Sequence, residues 1–156
     1  MGANINPIYT LTPNIKVATL PTANAVTTSD GVSSASGNSN MYVCFVSGAN
    51  GSYLDRIRVF PNGAAAGVST VATTVRIFMS TVNSAPSATT AANTNLLAEA
   101  SIPTITSGVS HSTNSVNYVD IPIQMAIPTG KYILACQHVA QGTNCFLNVM
   151  GIGGDY

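Results

Sequence analysis

Residues 41–60 read MYVCFVSGANGSYLDRIRVF, and this stretch decides the fold class. Its first part, residues 41–47, is almost continuously apolar, which predicts a strand buried on both faces or nearly so. Residues 48–51 (GANG) follow, and the Asn-Gly pair favours the positive φ angles of a tight turn. Residues 53–60 then alternate between apolar and polar side chains, which is typical of a strand with one buried face. The stretch therefore predicts two short strands separated by a turn.

The alternation in the second strand separates its side chains into two sets. Ile57 and Val59 should face one way, and Arg56 and Arg58 the other. With Asp55 these arginines form the densest group of charges in the chain. One interpretation is a solvated strand face in which an aspartate pairs with an arginine. The other is a contact surface for another protein, because arginine is enriched at protein interfaces.

The rest of the chain gives the same pattern, and helical periodicity is nearly absent. The predicted strands are residues 14–20, 41–47, 53–60, 69–80, 95–104, 115–127, 131–139 and 144–152, with a weaker ninth at 25–28. The last two are predicted to form a hairpin. Pro122 removes a backbone donor, so its strand should lie at a sheet edge or contain a bulge.

Eight or nine short strands with regular turn signals predict an all-β fold, an antiparallel two-sheet sandwich that is jelly-roll-like. An immunoglobulin-like sandwich is the alternative, which the absence of tryptophan and of a Cys–Trp–Cys spacing disfavours. The 156 residues fit one domain. We expect an extended N-terminal arm at 1–13, the sandwich at 14–152 and a C-terminal tail at 153–156. Such ends fray unless they dock, and in an assembly they would dock on a neighbour.

The charge content is very low, and it bears on the class of partner. Charged residues are 6% of the chain, five basic and five acidic, against about 25% in typical domains. No basic stripe is present that would neutralise a nucleic-acid backbone, and no basic amphipathic segment suggests a membrane surface. We therefore expect neither partner. A charge-poor surface also favours self-association, a risk that packing within an assembly removes.

The sequence predicts no catalytic, cofactor-binding or metal site, and hence not an enzyme. A triad of His111, Asp120 and a serine can be written down, but no nucleophile elbow supports it. The five acidic residues are scattered, and no metal-binding motif occurs. The cysteines Cys44, Cys136 and Cys145 are expected to be buried thiols, although a Cys136–Cys145 pair stays an open alternative.

Several short motifs together resemble a group of small virion proteins of tailed phages. They are residues 6–13 (NPIYTLTP), 48–52 (GANGS), 54–59 (LDRIRV), 75–78 (VRIF) and 153–156 (GGDY). Some members of the group are similar to capsid decoration or cement proteins. The resemblance implies a virion structural protein that is made in the bacterial cytoplasm and binds the outer surface of a phage head. Its partner would be the major capsid protein, and its role would be to stabilise contacts between capsid subunits.

This interpretation also suggests which residues make contacts. The candidate interface residues are Pro7, Ile8, Tyr9, Leu11, Arg56, Arg58 and Tyr156. A homo-oligomer, either a trimer or a dimer, is expected because assemblies around a capsid axis are symmetric. The alternative is a head-fibre, tail or receptor-binding β-sandwich domain of the same virion. A glycan-binding role is less favoured, because aromatic residues are only 6% of the chain.

Overall fold

The computed structural model describes residues 10–21, 23, 40–63, 69–83, 92–105, 118–143 and 145–156. All regular structure within these ranges is β-strand. The strands are β1 (Thr12–Leu20), β2 (Tyr42–Val46), β3 (Ser52–Gly63), β4 (Thr73–Ser80), β5 (Thr94–Ile102), β6 (Val119–Ile127), β7 (Tyr132–Gln137) and β8 (Cys145–Asp155). The residues of the predicted weak strand at 25–28 lie outside the described part of the chain.

The eight strands form two antiparallel four-stranded sheets. Sheet 1 has the order β1-β8-β3-β6, and sheet 2 has the order β2-β7-β4-β5. The pairs β1·β8, β2·β7, β3·β6 and β4·β5 each join the strands that would lie opposite one another in a single long hairpin. Rolling that hairpin up brings β8 beside β3 and β7 beside β4. This is the topology of a jelly roll, so the predicted fold class is confirmed.

The main core lies between the two sheets and is built by alternation along the strands. Leu54, Ile57 and Val59 of β3 are fully buried and pack against Ile77 of β4 and Ile133 of β7. Arg56 and Arg58 point out of the opposite face of β3, as predicted. Each large apolar side chain that is fully buried contributes about 1.5–3 kcal/mol relative to leaving it in water.

Sheet 2 is also buried on its other face. In β4 and β7, Phe78 and Leu134 alternate with the core residues Ile77 and Ile133, and they form a second buried cluster with Met41 and Cys136. Tyr132, Leu96 and Val43 pack against this cluster. The prediction that residues 41–47 are buried on nearly both faces is consistent with this arrangement. The outer side of sheet 2 is therefore covered over β2, β7 and β4, whereas Asn95 and Glu99 of β5 are exposed.

The predicted hairpin between the last two strands is wrong. β7 belongs to sheet 2 and β8 belongs to sheet 1, so the connection at 140–143 crosses from one sheet to the other. The turn at 48–51 is present, with Gly51 at φ +88° and its N–H donating to the Gly48 carbonyl. That turn also joins strands of different sheets. Turn chemistry marks where the chain reverses, but it does not determine which sheet receives the next strand.

The predicted C-terminal tail at 153–156 is wrong as well. β8 continues to Asp155 and runs between β1 and β3. Its glycines are needed for close packing. A Cβ at Gly151 would lie 2.4 Å from the Cys44 carbonyl oxygen, and one at Gly153 would lie 2.2 Å from the Tyr53 carbonyl oxygen. The glycine-rich end is therefore an ordered central strand.

The predicted boundary between the N-terminal arm and the sandwich lies two residues too late. β1 begins at Thr12, so the last two residues of the predicted arm at 1–13 belong to sheet 1. The N–H of Leu11 also donates to the Asp155 carbonyl at 2.7 Å. The prediction for Pro122 is confirmed, because β6 is an edge strand and Pro122 lies beside a bulge in the β3–β6 pairing.

Candidate interaction surface

The outer side of sheet 1 exposes apolar side chains on its edge strand, β1. Leu20 and Ala18 point inward to the core. Ile15 and Val17 therefore point outward, and their exposed fractions are 60% and 49%. Leu11 continues the same alternation and is 82% exposed. One set of apolar side chains on this strand is therefore turned away from the core and exposed.

The neighbouring strand β8 repeats this pattern. Leu147 and Val149 are fully buried in the core, whereas Phe146, Met150 and Ile152 point outward. Phe146 is 37% exposed, and the other two outward residues are half-buried. The apolar members of this outward set, together with Leu11 just before β1, are called the apolar face below; it consists of Leu11, Ile15, Val17, Phe146, Met150 and Ile152. The hydrogen-bonded polar pair Thr19 and Asn148 lies between Phe146 and the other members.

Exposed apolar residues concentrate on this side of the molecule. Seven large hydrophobic residues are exposed in the described part of the chain, and five of them lie on the outer side of sheet 1. The five are Leu11, Ile15, Val17, Tyr118 and Phe146. Single exposed hydrophobic residues need no explanation, but a contiguous patch marks an interaction site. The clustering is what makes this surface a candidate site.

Two cross-strand rows connect the apolar face to the arginines of β3. Ile15 lies opposite Ile152, which lies opposite Arg56. In the next row Val17 lies opposite Met150, and Met150 lies opposite Arg58. The pleat therefore aligns apolar and charged side chains on one surface.

Arg58 is held by contacts within its own chain. Its Nε and one terminal nitrogen donate to the two carboxylate oxygens of Asp120 at 2.8 and 2.9 Å. The guanidinium also lies over the Tyr118 ring, with Cζ 3.8 Å from the ring centroid. The hydrogen bonds from Arg58 hold the pKa of the Asp120 carboxyl below its usual value.

Arg56 also forms an ion pair within its own chain, with the aspartate that precedes it. The β3 bulge places Asp55 beside Arg56, and the guanidinium donates to that carboxylate at 2.7 Å. Its Nε is buried without a hydrogen-bond acceptor in the part of the chain that the structure describes, 3.7 Å from Asp120 Oδ2. The predicted arginine face is therefore an ion-pair cluster that borders the apolar face.

The remaining predicted contact residues are distributed differently. Pro7, Ile8 and Tyr9 lie outside the described residues. Tyr156 is half-buried, and its N–H donates to the Gly51 carbonyl at 3.2 Å. Sequence reasoning missed Ile15, Val17 and Phe146. Apolar residues at both odd and even positions of β1 and β8 were the available signal, but they did not show which set lies inside.

A shallow recess is present at one end of sheet 2. It has a volume of about 460 Å³ and is lined by residues that include Ala72, Pro103, His138 and Val139. The Arg76–Glu99 ion pair, with Nε and Oε2 3.2 Å apart, borders an adjoining hollow. His138 lies directly after β7, and its N–H donates to the Thr74 carbonyl.

The three cysteines are free and buried. Cys136 lies in sheet 2 and Cys145 in sheet 1, and both are free thiols, so the pair that the sequence left open is not formed. Burial raises the pKa of the Cys44 and Cys136 thiols to about 12.

The described ranges contain no group of three or more His, Cys, Asp or Glu side chains that could hold a metal ion. They also contain no helix long and apolar enough to span a bilayer.

Comparison of the chain with protein-family models, with curated proteins and with solved structures found no match.

Proposed function

We propose that the protein is a virion structural protein of the capsid decoration type. It binds the outer surface of a phage head and stabilises contacts between major capsid proteins. The resemblance of its motifs to small tailed-phage virion proteins supports this proposal. The fold is compatible with it, because jelly rolls are common in viral capsid domains. Jelly rolls also occur in lectins and cupins, so fold alone does not decide the function.

The apolar face is the observation that carries the binding role in this proposal, whereas the contact with the head itself is assigned to the N-terminal residues. It places most of the exposed large hydrophobic residues of the described chain on one sheet surface. A monomeric soluble protein rarely exposes a contiguous apolar patch unless the patch is used for binding. With charged residues at only 6% of the chain, little charge opposes association. These properties suit a protein that functions packed against others.

The proposed contact with the head uses the N-terminal residues. Leu11, the most exposed large hydrophobic residue of the described chain, stands where these residues enter β1. Pro7, Ile8 and Tyr9 precede it and supply apolar anchors. Segments that add to a partner's sheet bind by main-chain pairing, with alternate side chains entering pockets of the partner.

Co-sedimentation with empty heads tests the proposal. Purified protein should pellet with heads and saturate at a fixed ratio to the major capsid protein. Deletion of residues 1–9 should weaken binding strongly. That truncation ends before β1, which begins at Thr12, so the sandwich keeps all its paired strands. An unchanged circular dichroism spectrum and melting temperature are the control.

Two results would argue against the proposal. Intact protein that stays in the supernatant at saturating heads would contradict head binding. Equal binding of the truncated and intact proteins would remove the N-terminal residues from the contact. The alternative role, as a head-fibre, tail or receptor-binding domain, predicts binding at a few sites per virion rather than over the whole shell.

A further inference from the structure

We infer that the apolar face binds a second copy of this chain, sheet against sheet, to form a two-fold dimer. The inference does not require head binding and is independent of the N-terminal residues. It assigns an occupant to the sheet surface on which most of the exposed large hydrophobic residues of the described chain lie.

The face has the composition of a sheet-packing surface. Its outward positions carry β-branched and long apolar side chains in adjacent rows, with Ile15 beside Ile152 and Val17 beside Met150. Inner faces of sandwiches are built in the same way, with sheets about 10 Å apart. Two copies have the same twist, so their faces can pack in the aligned arrangement, with strand directions about 30° apart.

The charges next to the face favour a copy of the same chain over a charged partner. Asp55, Arg56, Arg58 and Asp120 form ion pairs among themselves, and their charges cancel. A surface of this kind presents no net charge that would select an acidic or basic protein. In a dimer that is centred on β1 and β8, the ion pairs stay at the wet rim. Interfaces commonly have this division into an apolar centre and a polar rim.

The area is sufficient for a specific dimer. Sheet 1 has four strands of 9 to 12 residues. At a strand spacing of about 4.8 Å and a rise of about 3.3 Å per residue, its face covers about 600 Å² before side-chain relief is counted. Specific interfaces bury roughly 600–1,000 Å² on each partner. Only packing over the whole outer side of sheet 1, of which the apolar face is about half, therefore reaches the lower end of this range.

The edge of β1 opposes the other way in which two copies could associate. Edge-to-edge pairing would extend sheet 1 across two molecules, but Lys16 is exposed on this edge strand and Pro13 lacks a backbone donor. Lysine and proline are the residues by which proteins block such pairing. Packing of one apolar face against the other is the remaining way for two copies to associate. Because the same face is used by both copies, the contact closes on itself and gives a dimer rather than a trimer.

Analytical ultracentrifugation of the full-length protein tests the inference. The wild type should sediment as a reversible dimer. Val17→Asp should weaken the dimer by at least about 30-fold, the effect of removing an interface hot spot. Ile15→Asp, at a still more exposed position, is a second variant with the same expectation. The matched control is Val139→Asp, because Val139 is 41% exposed and Val17 is 49%, but Val139 lies at the recess of sheet 2.

The sedimentation results either support the two-fold dimer or overturn it. A wild type that stays monomeric at a protein concentration of about 100 μM would overturn the inference, because a dimer with a micromolar dissociation constant would be formed there. So would a dimer that Val139→Asp disrupts and that both face variants leave intact. A dimer that dissociates only in the face variants supports it. Head co-sedimentation is scored separately, since a monomeric wild type that still pellets with heads would refute the dimer and leave the proposed function standing.

Discussion

Gly151 shows how a single residue determines the path of a strand. It lies in β8 where this strand of sheet 1 passes the backbone of β2, and a Cβ there would lie 2.4 Å from the Cys44 carbonyl oxygen and 2.8 Å from Phe45 Cβ. Neither atom can move without shifting a strand. The glycines at the end of the chain therefore permit close contact between the sheets, where their composition alone suggested a tail.

Gly151→Ala should destabilise the protein severely, by about 3 kcal/mol or more, because overpacking against backbone cannot be relieved by a rotamer change. Gly142→Ala is the control, since nothing lies within 4 Å of a Cβ built there. It should change the free energy of unfolding by no more than about 0.5 kcal/mol. Urea denaturation measures both, and equal stabilities would show that β8 does not pass this close to β2.

Asp155 links three elements at one end of the sandwich. Its carboxylate accepts hydrogen bonds from Ser52 of β3 and from Asn14 of β1, the latter at 2.7 Å. The Ser52 hydroxyl in turn accepts a hydrogen bond from the Gly48 N–H at 2.8 Å. The donors favour the charged form, and they hold the pKa of Asp155 below its usual value of 3.8.

Stability should therefore fall on acidification. A carboxyl whose pKa is lower in the folded state stabilises the fold above the unfolded pKa, and this contribution is lost as the pH falls through the folded pKa. Below about pH 4 the free energy of unfolding of the wild type should decrease steeply. Asp155→Asn should give a shallower decrease, with the remainder due to Asp120, whose pKa is also lowered. Thermal melts at several pH values measure this, and identical slopes would exclude a role for Asp155.

At the scale of the strand, the sequence was sufficient to locate the elements and insufficient to pair them. The alternation of Ile57 and Val59 with Arg56 and Arg58 predicted both the strand and its two faces. Pro122 predicted an edge strand. The pairing depends on contacts such as β1 with β8, between residues more than a hundred positions apart, and no local pattern encodes it. The apolar face was missed for the same reason, because exposure is decided by what another strand covers.

The β1 edge carries a prediction about association. Lys16 is an exposed charge on β1, which among the described residues pairs with a strand only on its β8 side. Replacing it with valine should expose a longer apolar edge and promote edge-to-edge aggregation. Lys16→Val should therefore lose solubility at concentrations where Lys131→Val, an equal loss of charge in the turn before β7, stays soluble. Light scattering at matched concentrations measures the difference, and equal scattering would mean that Lys16 does not guard the edge.

At the scale of the whole molecule, the two sheets have different roles. Sheet 2 has the core on one face and the Met41, Phe78, Leu134 and Cys136 cluster on the other, so it supplies rigidity. Sheet 1 shares the core and turns the apolar face outward. This asymmetry is the structural basis for proposing a binding domain. The proposal that its target is a phage head rests on sequence motifs, and the fold is compatible with that proposal.

The most direct test of the central proposal is the amount of the protein in purified virions, measured by quantitative mass spectrometry against the major capsid protein. A decoration protein covers the shell, so its copy number should be comparable with that of the major capsid protein. It should also be released when the shell is stripped of surface proteins. Absence from virions, or presence at only a few copies per particle, would contradict the account.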